Sequence, residues 1–288
     1  MKKSEVARRA LAVGAVVTAV LGAVVAPASA WHRPPVVKPS GLDFTFHSKR
    51  VFENGPLVTE RLLSPDWEVY PADKPLLCVY ERLHPAMPAS FRDGYWVHNL
   101  PDTGSGATPY TTEHFGRAGD TPFCGQTTPA DKSMWEQDRY VVWRQGVFYI
   151  QVGLDVRAVP FGKPTDTPLL GDWDGDSVDE IAVKRGNQYF FATDNVPGGG
   201  GVRTSTFGEP SDRAVIAASY YNQGVDTLVL RRGNKYLFTA DAPGTPTMKV
   251  RDEVAFGKAT DTPLDVEMWI DAVPEARQVA VARLGPDS

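Results

Sequence analysis

An eight-residue phrase that keeps returning restricts this chain to an architecture made of equivalent parts. It reads FGRAGDTP at 115–122, FGKPTDTP at 161–168 and FGKATDTP at 256–263, with FGEPSDRA at 207–214 a fourth copy and VYPADKP at 69–75 a worn fifth. The aspartates of the five copies are Asp73, Asp120, Asp166, Asp212 and Asp261, spaced 47, 46, 46 and 49 residues apart. A fixed period of that length is the signature of arrays in which each repeat is one supersecondary unit.

A second marker follows each aspartate by about twenty residues. It reads FRDGYW, WRQGVF, KRGNQY and RRGNKY, with arginines at Arg92, Arg144, Arg185 and Arg232. The pairs Asp-Gly, Gln-Gly and Gly-Asn tolerate positive φ, as the two-residue turns of twisted β-hairpins require. Their flanks alternate as half-buried strands do, for example YVVW with VFYI, and EIAV with YFFAT. Each unit is therefore expected to hold four strands with a tight hairpin between the second and third, the size of a propeller blade.

The chain ends fit the same scheme. The last copy stops at its hairpin marker, Arg283-Leu284-Gly285, with only two strands written. Conversely, LDFTFHS at 42–48 and PLVTERLL at 56–63 look like third and fourth strands lacking a first and second. Pairing the two ends removes both open edges. The expectation is an all-β, five-bladed β-propeller of four-stranded blades, closed by N-terminal strands that complete the last blade. Its blades start near 75, 122, 168, 214 and 263 in a single domain over 42–288. No long stretch of helical periodicity follows the leader; an open β-sandwich is the competing architecture.

Residues 1–30 read as a secretory signal peptide: MKKSEVARRA is basic, an apolar run follows, and Ala28-Ser29-Ala30 forms a cleavage site. Arg8-Arg9 match the twin-arginine route loosely, and a retained membrane anchor is the other alternative. Residues 31–41 form a Pro-rich linker. Cleavage would take the net charge from −5 to −8. Such a protein has no electrostatic reason to bind nucleic acid or an anionic membrane, and none of its remaining sequence reads as a membrane span. Cys78 and Cys124 are the only cysteines, and an oxidising compartment favours a disulfide between them over two buried thiols. Closing that loop stabilises by up to about 4 kcal/mol on chain entropy.

One stretch departs from the repeat's monotony. GDWDGDSVDE at 171–180 holds five carboxylates: Asp172, Asp174, Asp176, Asp179 and Glu180. Alternating aspartates in a coiling loop converge on one point, and that number of hard oxygen donors suits calcium. By the usual offsets Asp172, Asp174 and Asp176 take the first, third and fifth positions. Val178 offers its carbonyl at the seventh, and Glu180 or Asp179 a carboxylate beyond it. A solvated acidic turn is the alternative. The other copies do not keep the spacing; ASYYNQGVDT at 218–227 retains only Asp226.

Phe-Gly openings, blade-length repeats and DWDGDSVDEIAV together resemble the FG-GAP and VCBS-type repeats of integrin-like propellers, in the form found in secreted actinobacterial proteins. The resemblance spans roughly residues 65–288. It implies a calcium loop between strands of a blade, and a propeller that serves adhesion or ligand binding. Ser177 stands where the family usually has glycine at position six, and the Gly-Ala-Pro half of the family phrase is missing.

Catalytic signatures are scarce. There is no G-x-S-x-G elbow, H-E-x-x-H or P-loop, and the five histidines are scattered. The five repeating aspartates are read as turn residues accepting backbone N–H bonds, since an active site needs two distinct carboxylates rather than five equivalent ones. LPDTG at 100–104 lies mid-chain with no apolar tail behind it and reads as a loop. Tyr95, Trp96, Trp143, Phe148, Tyr189 and Tyr236 recur at matching positions, so packing between sheets is expected; Trp67 and Trp135 fall outside the pattern and are better candidates for ligand contact. The leading functional expectation is a secreted, non-enzymatic, monomeric binding module, calcium-stabilised, for an extracellular or cell-envelope ligand, whether polysaccharide or protein. The alternatives are a lectin-like sugar binder and a five-bladed glycosidase drawing on Asp265 and Glu267 with Asp138 or Glu81.

Overall fold

The computed structural model describes residues 42–52, 58–62, 70–78, 87–99, 110–128, 139–217, 225–265 and 276–286. They form twenty strands and no helix, so none of the described residues builds a helix long and apolar enough to cross a membrane. The strands make antiparallel four-stranded sheets in a propeller arrangement.

Four sheets are each cut from consecutive strands. The first joins β3 (Lys74–Cys78), β4 (Met87–Arg92), β5 (Tyr95–Asn99) and β6 (Tyr110–His114). The second joins β7 (Thr121–Gly125), β8 (Arg139–Arg144), β9 (Val147–Val152) and β10 (Asp155–Pro160). The third joins β11 (Thr167–Gly171), β12 (Glu180–Arg185), β13 (Gln188–Ala192) and β14 (Val202–Thr206). The fourth joins β15 (Arg213–Ala217), β16 (Thr227–Arg232), β17 (Lys235–Phe238) and β18 (Asp252–Ala255). The remaining sheet is assembled from both ends of the chain in the order β19 (Thr262–Leu264), β20 (Ala276–Pro286), β1 (Leu42–Phe52) and β2 (Val58–Leu62). First strands neighbour one another in the order β3, β7, β11, β15, β19, and β19 lies beside β3 again.

The hairpin reading holds in the consecutive sheets. Asp93 and Gly94 have φ of 56° and 92°, and Gln145 and Gly146 have 49° and 89°, positive at both central residues as a type I′ turn demands. In the next two hairpins positive φ is confined to the first residue, Gly186 at 62° and Gly233 at 64°, the II′ pattern. The marker at Arg283-Leu284-Gly285 makes no turn. β20 runs straight through it and pairs over its full length with β1, Leu42 opposite Pro286 and Phe52 opposite Ala276. The place of a third strand beside β20 is taken by β1.

The core lies between sheets rather than at a single centre. Phe91 and Trp96 of the first sheet pack with Tyr140 and Val142 of the second, the Trp96 and Tyr140 rings stacked at 4.4 Å. Phe148 and Ile150 meet Leu170, Ile181 and Val183. Tyr189 and Phe191 meet Leu228 and Leu230, and Val229 and Tyr236 meet Val281. The repeating aromatics are thus packing residues, with one correction: Tyr95 is 47% exposed, because the strand's alternation turns Trp96 inward and its neighbour out.

Each sheet is fastened to its own entry turn by an aspartate and an arginine. Asp120, Asp166, Asp212 and Asp261 accept bidentate bonds from Arg144, Arg185, Arg232 and Arg283 at 2.6–2.9 Å. The same carboxylates accept the backbone N–H three residues upstream, at Arg117, Lys163, Glu209 and Lys258. Asp73 repeats this with the Tyr70 N–H and an ion pair to Arg92 at 3.2 Å. The turn role expected of the aspartates is present, and the arginine marker proves to be its partner.

Fastenings between sheets use other residues. Lys74 donates to the Asp120 carbonyl, Lys184 to that of Pro210, and Arg231 to those of Asp261 and Lys258, each reaching the next sheet's entry turn. Cys78 and Cys124 form a disulfide with Cα atoms 5.6 Å apart, tying β3 to β7.

Candidate cation loop

The acidic stretch occupies the connection from β11 to β12. Its first carboxylate organises the loop. Asp172 Oδ1 accepts the N–H groups of Asp174 at 3.2 Å and Gly175 at 2.6 Å, while Oδ2 accepts that of Ser177 at 2.8 Å. Asp176 Oδ1 then takes the Val178 N–H at 2.9 Å. Two residues pass through the left-handed region, Gly175 at φ 87° and Ser177 at φ 70°. Ser177 therefore adopts the conformation for which glycine is usually chosen.

This coil brings the carboxylates of Asp172, Asp174 and Asp176 together, with one ligand oxygen from each lying within 4.8 Å of the others. Asp172 is buried, whereas Asp174 and Asp176 are exposed. Glu180 lies buried at the start of β12 and accepts the Trp173 N–H at 3.2 Å. Its surroundings are unfavourable for charge: burial, then the neighbouring Asp174, pushes its pKa up to about 9. Burial likewise raises the Asp172 carboxyl above its ordinary value. The set fits a hard divalent cation, since three oxygens already converge and, among the described residues, no ion pair is made by Asp172 or Glu180 themselves.

Neighbouring sheets hold the loop on both sides. Asp179 donates its N–H to the Gln126 carbonyl at 2.8 Å and accepts the Gln126 N–H on its carboxylate at 2.5 Å. On the other side Asp226 donates its N–H to the Asp172 carbonyl at 2.7 Å and accepts the Asp172 N–H at 2.9 Å. Asp179 and Asp226 occupy the same place in successive sheets, just before the second strand. Asp226, retained in a copy that otherwise lost the acidic set, is a clasp between sheets. Asn195 locks the loop's exit: its Oδ1 accepts the Ile181 N–H, and its Nδ2 donates to the Asp179 and Thr127 carbonyls. Trp173 anchors the near end, donating its indole N–H to the Glu180 carbonyl at 2.8 Å and meeting Phe191 edge-on at 5.0 Å.

Of the residues expected to carry a site, Asp172, Asp174 and Asp176 come together, Val178 and Glu180 adjoin them, and Asp179 faces Gln126. Trp67, Trp135, Glu81, Asp138 and Glu267 lie outside the described residues, and Asp265 follows directly on β19. Two participants went unread: Asn195, which sits in a loop with no repeat partner, and Arg203 on β14, whose Nη2 lies 3.7 Å from Asp174 Oδ2. Fold and loop together define an all-β, propeller-arranged protein with an acidic inter-strand loop that can hold a metal ion. In comparisons with known proteins, no family model and no curated protein matches this chain.

Proposed function

We propose that this is a secreted, non-enzymatic β-propeller of five blades that binds an extracellular or cell-envelope ligand and is stabilised by calcium. Four blades are the consecutive sheets, and the sheet built from both chain ends is the fifth; the contact of β19 with β3 supports this count. Kinship with FG-GAP and VCBS-type repeats and export by the residue 1–30 leader belong to the same reading.

The observation that carries the calcium assignment is the convergence of Asp172, Asp174 and Asp176 around a backbone already coiled through Ser177. Those carboxylates, the Val178 carbonyl and a deprotonated Glu180 would be the ligands. A bound ion would offset the carboxylate charge and stiffen the link between three sheets, since the loop is clasped to Gln126 on one side and Asp226 on the other. Millimolar calcium added to chelated protein should raise the melting temperature. At about ten times Kd the stabilisation is roughly 1.4 kcal/mol. Asp174→Ala should abolish the rise; an unchanged melting temperature in the unsubstituted protein would refute the site.

A lectin-like role is the second reading, favoured by Tyr95, which lies exposed where the other hairpins carry Val147, Gln188 and Lys235, with the His114 ring 4.8 Å away. Glycan-array binding that Tyr95→Ala removes would support it. Hydrolysis of a polysaccharide panel would overturn the non-enzymatic assignment altogether.

A further inference from the structure

We propose that Arg203 is the built-in counter-charge of the acidic loop and sets how tightly that loop holds a divalent cation. The inference rests on the calcium reading above and adds to it the residue that tunes the site.

Arg203 belongs to β14, opposite Phe191 in the sheet that carries the loop. Its guanidinium Nη2 stands 3.7 Å from Asp174 Oδ2, near enough for an ion pair and too far for a hydrogen bond. Nε and Nη2 are shielded from water and have no hydrogen-bond partner among the described residues. A charged donor in that state is oriented by packing rather than by its own bonds.

The packing comes from the next sheet. The segment between β17 and β18 folds back along β14, where Thr206 donates to the Pro246 carbonyl at 3.0 Å and Met248 donates to that of Thr206 at 2.9 Å. Met248 is buried in the core between the two sheets. Within this strap Gly244, at φ 98°, donates to Ser205 Oγ at 2.9 Å. A Cβ at Gly244 would lie 3.2 Å from both Cβ and Cδ of Arg203, so the strap's backbone rests directly on the arginine stem. The stem is pinned, and its charge is held beside Asp174.

A cation bound by Asp174 would sit about 2.3–2.6 Å from its oxygen, which places the guanidinium charge within roughly 6 Å of the ion. Like charges at that separation repel even in a well-solvated loop. Without the ion, Arg203 offsets part of the repulsion among the three converging aspartates. One residue therefore steadies the cation-free loop and weakens its grip on the cation, and both effects are electrostatic.

Calorimetric titration of the full chain with calcium chloride at low ionic strength tests this. Arg203→Gln should bind about threefold to tenfold more tightly. Arg203→Lys, which keeps the charge, should bind like the unsubstituted protein. The gain should shrink in roughly 0.5 M sodium chloride, where screening acts over a few ångströms. An Arg203→Gln affinity that is unchanged or weaker, or a lysine variant that matches the glutamine one, would overturn the proposal while leaving the calcium site standing. If the unsubstituted protein takes up no calcium, it is the loop assignment that fails. The counter-charge is then judged on EDTA-treated protein: Arg203→Gln must melt below the parent at low salt and converge on it at high salt, and equal melting in low salt would sink it.

Discussion

Gly162 shows why the Phe-Gly phrase tolerates so little change. Its φ is 88°, and a Cβ there would come within 2.8 Å of Val183 Cγ1 and 3.0 Å of Asp166 Oδ2. The residue is asked both for a left-handed backbone and for the space in which the aspartate carboxylate closes on its arginine. Gly162→Ala should cost on the order of 2–3 kcal/mol, from left-handed strain and crowding together. Chemical denaturation would measure that as a lower midpoint at unchanged slope. The clamp also fixes how stability responds to acid. The bond from Arg185 holds the Asp166 carboxyl below the usual carboxylate range, and that from Arg232 does the same for Asp212. Carboxyls depressed in the folded state contribute stability that is present above about pH 4 and lost as pH falls through the folded values. Glu180 works in the opposite sense. Its folded pKa near 9 lies above the ordinary 4.5, so the folded protein keeps a proton that the unfolded chain gives up. Without a divalent cation, stability should then decline as pH rises from about 4.5 toward 9. Glu180→Gln should flatten that decline and raise the melting temperature of chelated protein at pH 8, with a gain on the order of 1–3 kcal/mol. A melting series across pH in EDTA would show an unaltered slope if the glutamate were not buried in its charged surroundings.

At the scale of elements, the parts legible in the sequence are those fixed by local backbone demands. Asp93-Gly94, Gln145-Gly146, Gly186-Asn187 and Gly233-Asn234 announce their hairpins because only residues tolerant of positive φ serve there, and the structure turns at all four. What stayed hidden is set between segments. Both members of the Asp166–Arg185 clamp were visible as separate periodic markers, yet a constant spacing gives no sign that two side chains touch across a sheet. Asp179 and Asp226 lie where an acidic-ligand reading is natural, and only the approach of the preceding sheet reveals them as clasps. The strap over β14 carries no periodic marker in the sequence, since its bonds are to another repeat. The disulfide is the one such link that chemistry foretold, on the expectation that an oxidising compartment pairs two cysteines. It joins the first strands of neighbouring sheets and closes 46 residues. Replacing both Cys78 and Cys124 with Ala should lower stability by roughly 2–4 kcal/mol. The denaturant slope should rise as well, because the unfolded chain is released from a constraint that kept it compact.

At the scale of the whole molecule, one sheet is a seam that joins β19 and β20 to β1 and β2. Every other sheet is local, its four strands contiguous in sequence, so each can form with modest loop-closure cost. The sheet that holds β1 and β20 closes the longest loop available, and β20 alone would leave an eleven-residue edge unpaired. Such an edge is a template for association with another chain. The first strands form a cycle in which β19 meets both β15 and β3, and β19 belongs to the sheet that the seam completes. Deleting residues 42–62 removes β1 and β2 and leaves each consecutive sheet intact. If the sheets depend on closure, the truncated protein should melt well below the full chain and broaden its transition, as an array losing cooperativity does. It should also self-associate with rising concentration, which light scattering would follow, and a synthetic peptide spanning 42–62 should restore a monodisperse species when added in excess. A truncated chain that stays monodisperse and melts with the parent would mean that the consecutive sheets stand without the seam, and the five-blade closure would lose its structural role.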